Sequence, residues 1–472
     1  MNLRLLGKNV SVYVVGSIIL RLNALLLIPL YTFTVSLRDY GVLVTLMTTV
    51  QVMTILMNMG MGNTFLRFAK RYEDQGRMGI LLTNSLLIIL FGGISVTGVT
   101  LVALTPFFQR VLHMEDVRSY VMLTCLAALS QTLCYHTITY YRAKNQAANY
   151  MFGNVATALL LIVANIVFLL VFRLGVKGSL MAHIFAYTVI LSYQFVHVVL
   201  KDAVAISPGV LRQLIAFGFP LIFSMFSQFI INASSTYFLS FYAGLEAVGM
   251  FSLGVKLAQI LDIMIGIPFQ LACPPFIYAN LDEPGIRQTT SKLFTLLIDG
   301  LVLMAVAILI GAKVMMPFLA PPAYSAAYAV IVLMIPISFF RGILYFGETL
   351  LNIVHKTYWT GMISSASALI SLALNFYLIP RYGLYGAIIA TNMSFLSVGL
   401  VTFYRGFVEY PLTIQWTRLA VTASFLVCFL TLVFRLQGYN NVAFLASSCV
   451  AAAVGCLWMC SVYMPWRFRL SQ

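Results

Sequence analysis

The 472-residue chain is 61% hydrophobic and only 9% charged, with a mean hydropathy of +0.96 and a formal net charge of +15. This composition excludes a soluble globular protein, because a chain of this length could not bury so much apolar side chain. Apolar runs of about 20 residues also exclude a β-barrel, whose strands alternate apolar and polar residues. The sequence therefore predicts an all-α polytopic membrane protein.

The apolar runs predict about fourteen membrane-spanning helices, each bounded by short polar or glycine-containing turns. In chain order the predicted spans are 9–32, 41–64, 79–106, 119–139, 150–172, 178–200, 214–238, 247–274, 292–318, 326–353, 358–379, 383–404, 417–435 and 441–464.

The basic residues of the loops predict the orientation. With the N-terminus inside, the inner loops and tails carry about twice as many Lys and Arg as the outer loops, which predicts that both termini are cytoplasmic. The positive net charge is then mainly a topology signal. Since no loop is long enough to build a basic soluble module, we expect no nucleic-acid binding.

An internal repeat refines this architecture. The chain matches itself at a displacement of 208 residues, which aligns Gly41 with Gly249, Tyr150 with Tyr358, and the pattern R-x-G-x-x-G-x-x-x-A at Arg173 with its copy at Arg381. Six spans, an even number, fit in that interval, so the repeats are predicted to be parallel. The predicted domains are a first lobe at 1–200, a cytoplasmic linker at 201–213, a second lobe at 214–404, and two further spans with a cytoplasmic tail at 405–472.

Six charged residues are predicted to lie at membrane depth: Arg21, Lys256, Asp262, Asp299, Arg341 and Glu348. Each costs roughly 2.5 to 3.5 kcal/mol at a helix centre, so such residues are expected to face a cavity or a partner rather than lipid.

The spacing of these charges predicts their partners in part. Lys256 and Asp262 are turned about 120° from one another on a helix, so each needs another partner. Arg341 and Glu348 share a helix face but are separated by about 10 Å along it, which leaves room for a bridging group such as Asp299. A purely structural ion-pair network is an equally good interpretation of these last three residues.

Two helices present a polar stripe. In the first span Tyr13, Ser17 and Arg21 follow one another at steps of four residues. In the seventh span Ser224, Gln228 and Asn232 have the same spacing. We interpret both stripes as lining a water-filled cavity. The alternative for Arg21 is that it snorkels or caps backbone carbonyls between helices.

No motif indicates catalysis, a metal or a cofactor. The chain has no G-x-x-x-x-G-K-[ST] loop and no loop much longer than about 15 residues that could form a catalytic domain, so we expect no enzyme. The seven cysteines lie within predicted spans, which argues against disulfides and a zinc site. His136, His183 and His197 lie on span faces or ends, where packing is the favoured role.

The pattern of six plus six plus two spans resembles the multidrug/oligosaccharidyl-lipid/polysaccharide (MOP) exporter superfamily, and within it the polysaccharide transporter branch of Wzx-type O-antigen and capsule repeat-unit flippases. The residues that carry the resemblance are Lys8-Asn9 and Tyr13 before Arg21, the turn Arg38-Asp39-Tyr40-Gly41, Tyr141-Arg142-Ala143 before Tyr150, and the Gly-x-x-Gly turns at 175 and 383. The resemblance implies a fold like that of the MATE transporters and the lipid II flippase MurJ.

The resemblance further implies a flippase of the bacterial inner membrane that carries an undecaprenyl-pyrophosphate-linked oligosaccharide by alternating access, without a cofactor. Its implied partners are membrane lipids, the polymerase and chain-length regulator of the same pathway, and H⁺ or Na⁺ as coupling ion. By similarity to lipid II flippases, Arg21 and Lys256 would bind the pyrophosphate, with Arg341 as second choice. Asp262, Asp299 or Glu348 would exchange the coupling ion.

The alternative is a MATE-like, cation-coupled exporter of small amphipathic compounds. Such an exporter would normally have twelve spans. The last two predicted spans therefore discriminate between the two functions.

Overall fold

The computed structural model describes residue 23 and residues 25–112, 116–199 and 205–435, which are helical with no strand in these ranges. The helices are α1 (Leu25–Thr34), α2 (Leu37–Asp74), α3 (Met78–Leu112), α4 (Val117–Ala143), α5 (Ala147–Val171), α6 (Gly175–Val198), α7 (Pro208–Tyr242), α8 (Leu245–Ala279), α9 (Ile286–Leu319), α10 (Ala327–Ile353), α11 (Tyr358–Glu409) and α12 (Trp416–Arg435).

Eleven of these helices, α2 to α12, are long and apolar enough to cross a membrane. The all-α membrane fold is thus confirmed. Predicted spans two to thirteen all correspond to described helices, with spans eleven and twelve joined in α11 and separated by Gly383, whose φ is +52°. The fourteenth predicted span, and most of the first, lie outside the described residues.

Several helices extend beyond their predicted spans. The last part of α2, Met61–Asp74, carries charged residues of both signs beyond the apolar run. Helix α7 begins at Pro208, and proline suits the first turn of a helix because its missing N–H would have no partner there. The polar ends of spans are therefore helical too, because backbone hydrogen bonds continue where the apolar run stops.

The first compact unit contains the chain up to Gly249 together with Ala368–Ala387. In it α4 packs against α2, α5 and α6, and α7 packs against α2 and α3. Glycines allow the close approach of α2 and α7: a Cβ on Gly60, whose φ is +73°, would lie 2.3 Å from the Gly218 carbonyl oxygen.

The repeat-related glycines Gly41 and Gly249 make reciprocal contacts within this unit. A Cβ on Gly41 would lie 1.8 Å from the Leu245 carbonyl oxygen, and a Cβ on Gly249 would lie 2.8 Å from that of Leu37. Leu37 and Leu245 are themselves 208 residues apart. When residue i contacts residue j and their repeat-related counterparts make the same contact in reverse, the pattern is that of a two-fold relation.

The second compact unit contains Met250–Ser367 and the chain from Ile388 onward. Its core is aromatic where α9, α10 and α11 meet: the Phe294 ring centroid lies 4.7 Å from that of Phe346 and 5.1 Å from that of Phe403. The compact units do not coincide with the predicted lobes, since α7 belongs to the first unit by packing and to the second lobe by sequence. The lobe assignment stays a prediction.

Candidate functional site

Helix α8 departs from α-helical geometry at Asp262. Residues Asp262–Gly266 form a π-helical turn, in which the Ile267 N–H donates to the Asp262 carbonyl five residues earlier. Pro268 follows directly. Because proline has no N–H and its ring clashes with the carbonyl four residues earlier, the regular ladder cannot continue through this point. Such π-turns are frequent at functional sites.

Asp262 forms a buried ion pair with α10. Asp262 is 4% exposed, and its Oδ2 accepts hydrogen bonds from Arg341 Nη1 at 3.3 Å and from the Tyr345 hydroxyl at 3.4 Å. Both distances exceed the usual 2.7 to 3.2 Å for a protein hydrogen bond. The pair is consistent with the prediction that Asp262 has a partner other than Lys256.

The second carboxylate oxygen of Asp262 has no hydrogen-bond partner in the described part of the chain. Gly266 lies beside it, and a Cβ at that position would come within 2.2 Å of Oδ1. Any other residue at 266 would therefore displace the carboxylate. A buried acceptor left without a partner costs about 1 to 3 kcal/mol.

Arg341 is held by an aromatic ring as well as by Asp262. Its guanidinium carbon lies 4.6 Å from the centroid of the Phe395 ring, a cation–π arrangement. The Phe395 ring and Asp262 therefore both contact the guanidinium.

Asp299 of α9 pairs with Arg418 of α12, with 2.7 Å between Oδ2 and Nη2. The spacing of Arg341 and Glu348 left room for Asp299 to bridge them. The ion pairs in the structure are instead Asp262 with Arg341 and Asp299 with Arg418, because tertiary packing brings α12 against α9.

The other predicted site residues are distributed as follows. Glu348 is half-buried on α10 and has no hydrogen bond or ion pair to any residue the structure describes, while Lys256 is half-buried on α8. On α7, Ser224 and Asn232 are exposed and Gln228 is half-buried, so the polar stripe faces outward from its own helix bundle. Arg21, Tyr13 and Ser17 lie outside the described residues. The assignments of all these residues to substrate, ion or cavity stay predictions.

An apolar groove of about 700 Å³ runs along α12. Its walls come from α9, α10, the second part of α11 and α12, and include Phe294, Ile343, Phe403, Trp416 and Leu430. Its volume lies within the range of about 300 to 1,000 Å³ typical of small-molecule sites.

A cavity of about 670 Å³ with mostly polar residues in its lining, here called the polar cavity, lies at the starts of α9 and α12. Gln288, Lys292, Gln415 and Arg418 contribute to its lining. Arg418 follows the groove residue Trp416 by two positions, so the α12 N-terminus contributes to both cavities. In the described ranges, no three His, Cys, Asp or Glu residues are grouped so that they could hold a metal ion.

Sequence reasoning missed Tyr345, Gly266 and Arg418. Two of them carried a usable signal, since Tyr345 follows Arg341 by four residues and Gly266 follows Asp262 by four, the spacing that puts side chains on one helix face. Arg418 carried none, because only the packing of α12 on α9 reveals its partner.

Comparison with known proteins identifies the family of the chain. A family model described as "Polysaccharide biosynthesis protein" matches residues 6–280. No curated protein sequence shows significant similarity to the chain.

Several solved structures share the fold. A structure of the lipid II flippase MurJ in an inward closed conformation superimposes with a TM-score of 0.72 at 12% identity, covering 97% of this chain and 99% of MurJ. An inward-facing multidrug resistance MATE family transporter of the MOP superfamily gives 0.66 at 14% identity, covering 85% and 94%. A MOP superfamily transporter from Pyrococcus furiosus gives 0.59 at 15% identity, covering 85% and 95%.

The family model covers more than half of the chain, and the fold is that of MurJ and the MATE transporters. The chain therefore belongs to the polysaccharide biosynthesis protein family.

Proposed function

We propose that the chain is a flippase that moves an undecaprenyl-pyrophosphate-linked oligosaccharide repeat unit from the inner to the outer leaflet of the bacterial inner membrane. Both termini would lie in the cytoplasm, and transport would proceed by alternating access with H⁺ or Na⁺ as coupling ion. Membership of a polysaccharide biosynthesis family supports a glycan substrate.

The observation that carries this proposal is the apolar groove along α12. α12 corresponds to the thirteenth predicted span, which lies outside the six-plus-six repeat. A lipid-linked substrate needs an apolar surface that holds its isoprenoid tail while the sugar moves, whereas a small amphipathic compound does not. We assign the groove to that tail.

The pyrophosphate would meet cationic side chains. Lys292 lines the polar cavity next to the groove. Arg21 and Lys256 are predicted to line the central cavity. Cationic groups with dry surroundings attract phosphate strongly. The substrate would thus be recognised by its two constant parts, the tail and the pyrophosphate, while the glycan varies.

The Asp262–Arg341 pair would couple ion binding to transport. A proton or cation on the free Oδ1 would weaken the hold of the carboxylate on Arg341, whose guanidinium would then be available to an anionic substrate. Tyr345 and Phe395 would keep both side chains in place during this exchange.

The groove is tested with two alanines on α12. Ala423 lines the groove, and Ala420 is exposed on the same helix outside it. In cells that lack their own repeat-unit flippase, Ala423→Phe should reduce surface glycan per membrane-inserted protein and accumulate the lipid-linked repeat unit. Ala420→Phe should export glycan at the wild-type level.

A drug exporter would give a different result. The fold shared with MATE transporters makes it the second candidate. The wild-type chain would then extrude cationic dyes, Ala423→Phe would leave that efflux unchanged, and no variant would restore surface glycan. That outcome would overturn the proposal.

The anion site is tested by charge-conserving variants. Arg21→Lys and Lys256→Arg should retain partial export, and Arg21→Ala and Lys256→Ala should block it with the protein still in the membrane. Wild-type export by both alanine variants would remove these residues from the site.

A further inference from the structure

A second polar cavity lies in the first unit, far in sequence from the groove. It has a volume of about 340 Å³ and is enclosed by the end of α4, the start of α5 and the end of α6; we call it the α4–α6 pocket. The volume lies within the range of about 300 to 1,000 Å³ typical of small-molecule sites. None of the residues predicted to bind substrate or ion contributes to it.

A buried donor in this pocket lacks a partner. Gln194 is 1% exposed, and its Oε1 accepts a hydrogen bond from the Thr137 hydroxyl, which fixes the orientation of the amide. Its Nε2 has no hydrogen-bond partner in the part of the chain that is described. Gly153, another lining residue, leaves space beside this nitrogen, since a Cβ there would lie 3.3 Å from it. A buried amide N–H next to the pocket therefore lacks an acceptor.

The charge of the lining favours an anion. Lys144 contributes an ammonium group, Gln146 and Asn149 contribute further amides, and no described residue that lines the pocket is acidic. An ammonium and amide donors that converge on one cavity suit a group with several acceptor oxygens, such as a phosphate.

A sugar fits this lining less well. The Tyr193 ring is stacked on His197 at 4.2 Å between centroids, and the Lys144 ammonium lies 4.6 Å from the centroid of the Tyr140 ring. One face of each ring is thus already covered. Stacking of a pyranose is therefore limited to the remaining face of each ring.

The position of the pocket indicates the source of the phosphate. The cavity lies where α4 ends and α5 begins, and α6 finishes there in a π-helical turn, Phe195–Val199, that places His197 in the lining. Phe152 and Tyr193 are exposed apolar rings in the same lining. Basic pockets between the ends of transmembrane helices are typical headgroup sites for anionic lipids.

We propose that the α4–α6 pocket binds the phosphate headgroup of an anionic phospholipid and stabilises the ends of α4, α5 and α6. This site is independent of the proposed flippase activity, and its test requires no transport. The same phosphate chemistry would also suit free inorganic phosphate, which the experiment separates.

The test measures lipid binding to the full-length purified protein by native mass spectrometry and by the shift of its unfolding temperature. Phosphatidylglycerol should bind saturably and raise the unfolding temperature, and phosphatidylcholine should do so at least about fivefold more weakly. Lys144→Gln should weaken phosphatidylglycerol binding by about fivefold or more. Arg142→Gln, which removes the same charge two residues away on an exposed side chain outside the pocket, should change binding less than twofold.

A second lining variant and a comparison with inorganic phosphate complete the test. Asn149→Ala replaces an exposed residue of the lining, so its fold should persist, and it should also weaken phosphatidylglycerol binding. Equal binding of both lipids, or equal losses in Lys144→Gln and Arg142→Gln, would overturn the proposal. Stabilisation by inorganic phosphate but not by phosphatidylglycerol, with the same dependence on Lys144, would also overturn it and assign the pocket to a soluble anion.

Discussion

The two compact units bury their polar side chains in different ways. In the first unit the buried partners are neutral: the Tyr31 hydroxyl donates to Asn165 Oδ1 at 2.9 Å and accepts from Ser179, and Ser85 pairs with His136 at 2.6 Å. In the second unit Asp262 forms a buried ion pair with Arg341, and the half-buried Asp299 and Arg418 form another ion pair. The described ion pairs of the first unit, such as Lys177 with Asp116, involve exposed side chains instead.

The two kinds of contact suit different roles: a neutral hydrogen bond holds two helices together, and a buried ion pair is sensitive to a change of charge. A neutral hydrogen bond joins two helices without a large desolvation penalty, so it suits a unit that moves as a rigid body. A buried ion pair is expensive to form and very sensitive to a change of one charge, so it responds to ion binding. The proposed coupling step therefore belongs in the second unit.

The largest expected effect comes from removing one partner of the buried pair. Asp262→Ala leaves the Arg341 guanidinium buried without its carboxylate, which should lower the free energy of unfolding by about 3 to 5 kcal/mol. Thermal unfolding of the purified variant measures the loss. The double variant Asp262→Ala/Arg341→Met should recover most of it, and a double variant as unstable as the single one would show that packing, rather than charge, is responsible.

A smaller effect is expected from Gly266→Ala. The new Cβ would meet Asp262 Oδ1 and displace the carboxylate, at a cost of about 1 to 3 kcal/mol from overpacking. Export should fall further than stability, because the displaced oxygen is the proposed ion ligand. Gly311→Ala, on α9 with open space at the Cβ position, is the control and should match the wild type in both assays. Full export by Gly266→Ala would exclude Oδ1 from coupling.

The neutral pairs should respond more weakly. Tyr31→Phe removes the hydroxyl between α1, α5 and α6 while keeping the ring, and it leaves the Asn165 acceptor short of one donor. We expect a loss of about 1 to 2 kcal/mol in unfolding free energy. Glycan export per folded protein should remain at the wild-type level. A large export defect here would remove the distinction between the two units.

The smallest effect is expected at the exposed pair of the first unit. Hydrogen bonds from the Ser119 hydroxyl and from Lys177 lower the pKa of Asp116 below 3.8. Any stability gained is therefore present above pH 3.8 and lost as the pH falls through the lower pKa of the folded state.

Asp116→Asn should consequently change the unfolding temperature little at pH 7, since the partners are 70% and 36% exposed. The small difference from the wild type should disappear below pH 3.8. Unfolding temperatures of both proteins measured between pH 3 and pH 7 test this, and a difference that grows toward low pH would contradict it.

The sequence by itself determined the class of the molecule and the positions of most spans. Long apolar runs must become helices in a membrane, because no water is available there to satisfy the backbone. For that reason even the boundary between spans eleven and twelve was predicted near Gly383, where the helix bends. The rare charged residues at membrane depth could also be identified from the sequence, since the free-energy cost of burying a charge in the membrane indicates that each has a structural or functional role.

Only the tertiary structure decided which charges meet. Asp262 and Arg341 are 79 residues apart and Asp299 and Arg418 are 119 apart, so no local spacing relates them. Helix rotation and contact depend on how whole faces pack, and that packing pairs Asp299 with Arg418 of α12. The groove and the α4–α6 pocket are likewise spaces between helices, which a sequence pattern along one helix does not define.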